Sequence, residues 1–227
     1  MNPAVSRVSQ PAMNKKLTVM ARSLLATGLL LVAAHGASAA EPIEGKQYKL
    51  LKPAQPSEAA PGKVGVTEVF WYACGHCYLL EPKLEAWNQK ARAPYVQLIR
   101  LPATWNPVVK MHARVFYTIE LLGKPQLHDQ VFREINVKGN RLDTPEKIEA
   151  FFVANGVSKD AFQKAFSSFA VESKVLHAED LNRRYKITGT PTMVVNGKYI
   201  TDVAMAGGED QLFQVVNQLA AREKPGH

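Results

Sequence analysis

The chain has 227 residues, 46% of them hydrophobic, with 28 basic and 20 acidic side chains for a formal balance of +8. Residues 1–40 hold four of the basic residues and no acid, so the remainder carries 24 against 20, a balance of +4. No long basic block remains, which removes the support for nucleic-acid binding. The remaining chain of about 187 residues is long enough to bury a real core, as one domain or as a domain with an insertion.

The N-terminus reads as a cleaved secretory leader. Lys15, Lys16 and Arg22 precede an apolar run over residues 24–34, followed by Gly36-Ala37-Ser38-Ala39-Ala40. A basic stretch, a short apolar core and small residues at Ala-x-Ala spacing are the marks of a signal peptide. Cleavage is expected after Ala39 or Ala40, and Met13 is an alternative start. The rival, an uncleaved anchor, needs about 20 apolar residues, and the run is roughly half that. No other stretch is apolar enough to span a bilayer.

Past the leader, Tyr48-Lys49-Leu50-Leu51 reads as a short edge strand in a Pro-, Gly- and Ala-rich segment. Residues 64–72 are β-branched and aromatic and read as a buried strand. Leu80, Leu84 and Trp87 recur at helical spacing, with Pro82 expected to kink that helix. Residues 96–101 read as a second strand. Strand, helix and strand in about 40 residues make a βαβ unit with parallel pairing. The middle of the chain is helical. Val108, Val115, Phe116, Ile119 and Leu122 share one face, and Leu127, Val131, Phe132 and Ile135 another. Thr144-Pro145 marks a helix start and Asn155-Gly156 its stop. Ser158 caps a helix with Phe162, Phe166 and Phe169 on one face, and Val175, Leu181 and Tyr185 lie on a further helix. These aromatics are expected to pack in the core. Apolar runs over 193–195 and 198–200 around Asn196-Gly197 signal a hairpin, and Leu212, Val215, Val216 and Leu219 mark a last helix.

The only cysteines are Cys74 and Cys77. A stabilising disulfide removes more unfolded-state entropy the longer the loop it closes, and a Cys-x-x-Cys bridge closes almost none. In an exported chain the pair therefore reads as reactive rather than as a staple. A zinc site would have to recruit His112, His128 or His177, which lack paired ligand spacing, so no metal is expected. Cys74 falls where a strand gives way to a helix, and the unpartnered N–H groups there stabilise a thiolate. His76 can add charge or a hydrogen bond, and Cys77, on the first turn, suits a resolving role.

The segment Glu68-Val69-Phe70-Trp71-Tyr72-Ala73-Cys74-Gly75-His76-Cys77-Tyr78 resembles the active-site strand and helix of the bacterial periplasmic disulfide oxidoreductase family, DsbA. Gly189-Thr190-Pro191-Thr192-Met193-Val194-Val195-Asn196-Gly197-Lys198-Tyr199 resembles that family's second signature. The resemblance runs from about residue 47 to 219. It implies an α/β, thioredoxin-like fold with an inserted all-helical domain: residues 41–104 and 179–227 as the thioredoxin-like part, 105–178 as the insertion. It also implies a cis peptide at Pro191 facing the disulfide, with Thr190 offering backbone groups to an extended substrate segment. Glu68 matches the family's buried acid beneath the active site. Glu81 matches a second acid, although its place on the helix reads as a surface charge. The family's partner lysine has no obvious counterpart. Gly75 departs from the family's usual proline. Cys-Gly-His-Cys is the motif of eukaryotic disulfide isomerases, whose potential is roughly 60 mV, about 3 kcal/mol, from that of the DsbA type.

The implied activity is a periplasmic thiol–disulfide oxidase that donates its Cys74–Cys77 disulfide, its only redox group, to newly exported proteins through a mixed disulfide. A quinone-linked membrane protein of the DsbB kind is the implied reoxidant. An isomerase or reductase on the same fold is the near alternative. About 25 residues between leader and first active-site strand are too few for an N-terminal dimerisation domain, which points to a monomer. A non-redox chaperone is the alternative from another class, and it predicts that both cysteines are dispensable.

Overall fold

The computed structural model describes residues 40–226. Apart from Ala40, the predicted leader lies outside the described residues. The central element is β2 (Val64–Phe70), every residue of which is buried. The chain turns at Cys74 into α1 (Gly75–Ala86), continues through a π turn (Trp87–Ala91) and returns in β3 (Val96–Pro102). This crossover lays β3 parallel to β2, with Val64 opposite Val96 and Glu68 opposite Arg100. The predicted strand thus ends two residues early, at Phe70, which frees Trp71 and Tyr72 to lead into the active-site turn. Pro82 sits inside α1, and the helix runs on through it to Ala86.

Five helices follow: α2 (Pro107–Leu121), α3 (Leu127–Asn136), α4 (Pro145–Ala154), α5 (Lys159–Phe166) and α6 (Phe169–Arg184). Asn106, Thr144, Ser158 and Ser168 cap α2, α4, α5 and α6, each side chain accepting a first-turn backbone N–H. On α2 it is Val109, not Val108, that is fully buried. Phe169 departs most from expectation. The chain breaks at Ser167-Ser168, so Phe169 opens a new helix and is 85% exposed instead of extending the Phe162 stripe.

The chain then re-enters the sheet as β4 (Thr192–Val195) and β5 (Tyr199–Thr201), joined by Asn196 and Gly197 at φ 49° and 66°. These are the left-handed angles a primed hairpin turn needs. After α7 (Val203–Ala206), α8 (Glu209–Ala221) closes the fold. With β1 (Lys49–Leu50) on one edge, the sheet order is β1-β5-β4-β2-β3; β2 and β3 are parallel and the other neighbours antiparallel. One cluster packs Val64 and Val66 of β2 and Met193 and Val195 of β4 with Leu80 and Leu84 of α1 and Leu212, Val216 and Leu219 of α8. A second packs Phe70, Leu101 and Val194 with the five-helix block. Because side chains alternate along a strand, Glu68 falls on the same face as Val64 and Val66, the face covered by α1. Among the described residues no helix is long and apolar enough to cross a membrane.

Gly197 tests the hairpin. A Cβ there would lie 2.0 Å from the Gln55 carbonyl oxygen, at a left-handed φ. Gly197→Ala should lower unfolding free energy by about 2 kcal/mol or more in urea titrations. Wild-type stability would contradict this packing.

Candidate active site

Cys74 is the N-cap residue of α1, with extended backbone at φ −86° and ψ 110°. Its own N–H donates to the Trp71 carbonyl at 2.9 Å, which turns the chain from β2 into the helix. Its Sγ accepts the Cys77 backbone N–H at 3.4 Å, the place a serine or aspartate oxygen takes in an ordinary cap. The same sulfur lies 3.3 Å from the Thr190 carbonyl oxygen, to which the thiol form donates. The two cysteines are not bridged to each other, Cys74 being half-buried and Cys77 fully buried.

The two sulfurs occupy opposite electrostatic environments. Cys74 is pulled down to about 5, first by the hydrogen bond from the Cys77 thiol. Partial burial opposes this, while the Thr190 side chain and the backbone N–H groups of Cys77 and His76 reinforce it. Cys77 is pushed far up, first by burial, then by its hydrogen bond to Cys74 and the charge on that sulfur. At neutral pH one sulfur is therefore an anion and its neighbour a protonated donor to it.

The Thr190–Pro191 peptide is cis and brings the β4 entry across from Cys74. His76 is exposed; it lines a groove of about 380 Å3 with Thr190, Pro191, Val203 and Glu209. His76 reaches Cys74 through its backbone N–H. Gly75 is exposed, and a Cβ there would meet nothing within 4 Å.

Beneath the pair lies a cluster of buried charge. Glu68 has no solvent exposure, and neither carboxylate oxygen has a hydrogen-bond partner. Its nearest cation is Arg100, with Nε 3.8 Å away. Burial, then the charge on Glu81, pushes Glu68 up to about 8 against the pull of Arg100. Glu81 is not the surface charge its helix position suggested: it is 7% exposed. It pairs with the Arg100 guanidinium, which also reaches Glu85 at 2.5 Å, and lies 3.6 Å from His128 Nε2. Burial works to raise Glu81, but His128 and Arg100 outweigh it and hold its carboxyl below the ordinary range. A groove of about 790 Å3, lined by Glu81, Glu85, Arg100 and His128, runs past this cluster.

Arg100 is the cation beside Glu68 that the sequence alone does not single out. The signal was a lone cation in an apolar strand, legible only with the register that sets it opposite Glu68. Trp71, whose carbonyl accepts the Cys74 N–H, also carried no signal of its own in the sequence. Among the described residues no group of three or more His, Cys, Asp and Glu side chains is placed to hold a metal ion.

Comparison with known proteins bears on this geometry. Residues 98–220 match the family described as DSBA-like thioredoxin domain. The thiol:disulfide interchange protein DsbA of Pseudomonas syringae pv. tomato is 40% identical over 208 residues, covering 89% of this chain and 96% of that protein. The chain belongs to the DsbA family. A crystal structure of Pseudomonas aeruginosa DsbA superposes with a TM-score of 0.74 at 37% identity, covering 79% of this chain and 93% of that one. The oxidoreductase DsbA of Xylella fastidiosa gives 0.75 at 28% identity, covering 81% and 98%. The fold is thus the thioredoxin-like DsbA fold, and the protein is a thiol–disulfide oxidoreductase acting on protein substrates. As in other DsbA proteins, the redox group is a cysteine pair within the chain.

The buried acid makes a testable link to stability. A carboxyl raised from 4.5 to about 8 favours folding in its neutral form. That contribution is complete below the unfolded value and is lost as pH climbs through about 8. Reduced Glu68→Gln protein should therefore match wild type near pH 4 and exceed it at pH 8 by on the order of 2–4 kcal/mol. Urea unfolding across this range checks it; parallel pH profiles would contradict it.

Proposed function

We propose that this chain is a monomeric dithiol oxidase of the periplasm, exported by the leader over residues 1–40, that donates its Cys74–Cys77 disulfide to newly exported proteins. The observation that carries this reading is the asymmetry of the two sulfurs: one pulled down to about 5 at a helix start, the other buried and raised. A low-pKa sulfur is a good leaving group and a poor thiol, which favours giving the disulfide away.

In the proposed reaction a substrate thiolate attacks Cys74 Sγ. The Cys74–Cys77 bond breaks and a mixed disulfide forms. Cys77 leaves as a buried thiolate and takes the proton that Glu68 holds at neutral pH; Glu68 is then reprotonated past Arg100 and Glu81 from the groove beside them. A second substrate thiolate attacks the substrate sulfur and expels Cys74 as a stable thiolate. The substrate loses two electrons, the enzyme pair gains them, and Cys77 keeps its proton. Thr190 pairs its backbone with the extended substrate segment at the cis Pro191, and His76 flanks the same groove. The inserted helices over 105–178 interrupt a thioredoxin-like domain formed by 41–104 and 179–227. A quinone-linked membrane protein of the DsbB kind takes the electrons onward. Substrates are reduced or unfolded exported proteins, not nucleic acid. Gly75, in place of the family's proline, favours a milder oxidant and is the one feature that leans toward the isomerase.

Reaction with a reduced, unfolded protein tests the order of events. Wild-type oxidised protein should oxidise it stoichiometrically, and Cys74→Ser should not react. Cys77→Ser, given an activated substrate disulfide, should accumulate the mixed disulfide on Cys74. Protection of unfolded chains with no redox exchange, equal in wild type and Cys74→Ser, would favour the chaperone reading.

A further inference from the structure

Three side chains of the helical insertion converge on Trp71 and Tyr72, which join β2 to the active-site turn. His112 of α2 is 2% exposed and bonded at both ring nitrogens. Its Nδ1 accepts from the Trp71 indole N–H at 2.9 Å, and its Nε2 faces the Arg141 carbonyl at 3.0 Å. A carbonyl only accepts, so Nε2 carries the proton and Nδ1 the lone pair, and the neutral tautomer is fixed by its partners. From α3, Asn136 donates to the Tyr72 carbonyl at 2.8 Å, and His128 Nδ1 meets the Tyr72 hydroxyl at 2.8 Å. The Trp71 and His112 rings stack at 6.2 Å, and the Tyr72 ring meets Phe132 of α3 edge-on at 4.9 Å.

This matters because the position of the Cys74 sulfur is inherited from Trp71, whose carbonyl holds the Cys74 N–H. The sulfur accepts from the first turn of α1 at 3.4 Å, an ordinary length for a sulfur acceptor. Hydrogen bonds weaken steeply with distance and angle, so a small freedom at residues 71–72 spreads the sulfur over positions where the donors no longer reach it. A pre-organised donor set stabilises an anion more than a mobile one.

We infer that His112, with Asn136 and His128, forms a clamp by which the helical insertion holds the Cys74 sulfur over the N–H groups of α1 and so sets the oxidising strength of the pair. These are positioning residues; none touches the reacting atoms. The inference rests on the reading of Cys74 as the attacked sulfur. It gives the insertion a role in the chemistry, and His128, 3.6 Å from Glu81, ties the clamp to the buried acids below.

The experiment uses the full mature protein. Thiolate absorbance against pH gives the Cys74 pKa, and equilibration with glutathione gives the potential. His112→Phe should raise the pKa by about one unit and weaken the equilibrium about tenfold, roughly 30 mV for a two-electron couple. Trp71→Phe, which removes the same bond from its other end, should shift both in the same direction. His112→Gln should restore values close to wild type, since its amide offers both an acceptor and a donor. Phe162→Ala, in a part of the insertion packed on Phe152 and Phe166, should lower the melting temperature and leave both readings unchanged. If His112→Phe does not fold, Trp71→Phe and Asn136→Ala decide the matter. Folded clamp variants with wild-type pKa and potential would overturn the clamp, as would an equal shift in Phe162→Ala. A wild-type Cys74 that titrates as an ordinary thiol would instead overturn the reading beneath it.

Discussion

The structure turns on one unusual cap. A helix start has backbone N–H groups without partners, and proteins normally satisfy them with a hydroxyl or carboxylate. Here the acceptor is the sulfur of Cys74, which takes the Cys77 N–H. An oxygen cap stabilises the fold; a sulfur cap also stabilises a particular protonation state, because a thiolate is a far better acceptor than a thiol. The surroundings are arranged around that one atom. β2 delivers it, the Thr190 side chain beside the cis Pro191 adds a hydrogen bond, and Cys77 supplies a buried thiol donor.

Placing one sulfur as an anion leaves its neighbour to be dealt with. Cys77 is buried on the inner side of α1, above a face of β2 that would be wholly apolar but for Glu68. Burying a carboxyl with no hydrogen-bond partner is costly, and the cost falls mostly on its ionised form. Glu68 therefore keeps a proton in the range where Cys74 has lost one, and Arg100, the cation nearby, is engaged mainly by Glu81 and Glu85. An arginine stays charged throughout, so it holds the two carboxylates in place without competing for the proton.

Elements governed by local chemistry were legible in the sequence. The βαβ unit, the Thr144 and Ser158 caps, the Asn196-Gly197 turn and the last helix each follow from residues within a few positions of one another, and each stands as expected. The cysteine pair was legible because its spacing makes little sense as a staple. What failed depended on distant packing. Phe169 continued a helical stripe by spacing alone, yet Ser168 offered a better cap than the helix offered a continuation. Glu81 looked like a surface charge because nothing local reveals that α3 and β3 close over it with His128 and Arg100. His112 lies 41 residues from Trp71 and Asn136 lies 64 from Tyr72, and no period or motif joins them before the chain is folded.

The most direct test is the rate at which a small alkylating agent modifies the reduced protein as a function of pH, with the modified cysteine located by peptide mass. The expected result is modification of Cys74 alone, with a half-maximal rate near pH 5 that is already on its plateau at neutrality. Modification of both sulfurs, or a midpoint close to that of a free cysteine at about 8.5, would contradict the claim that α1 holds this sulfur as an anion.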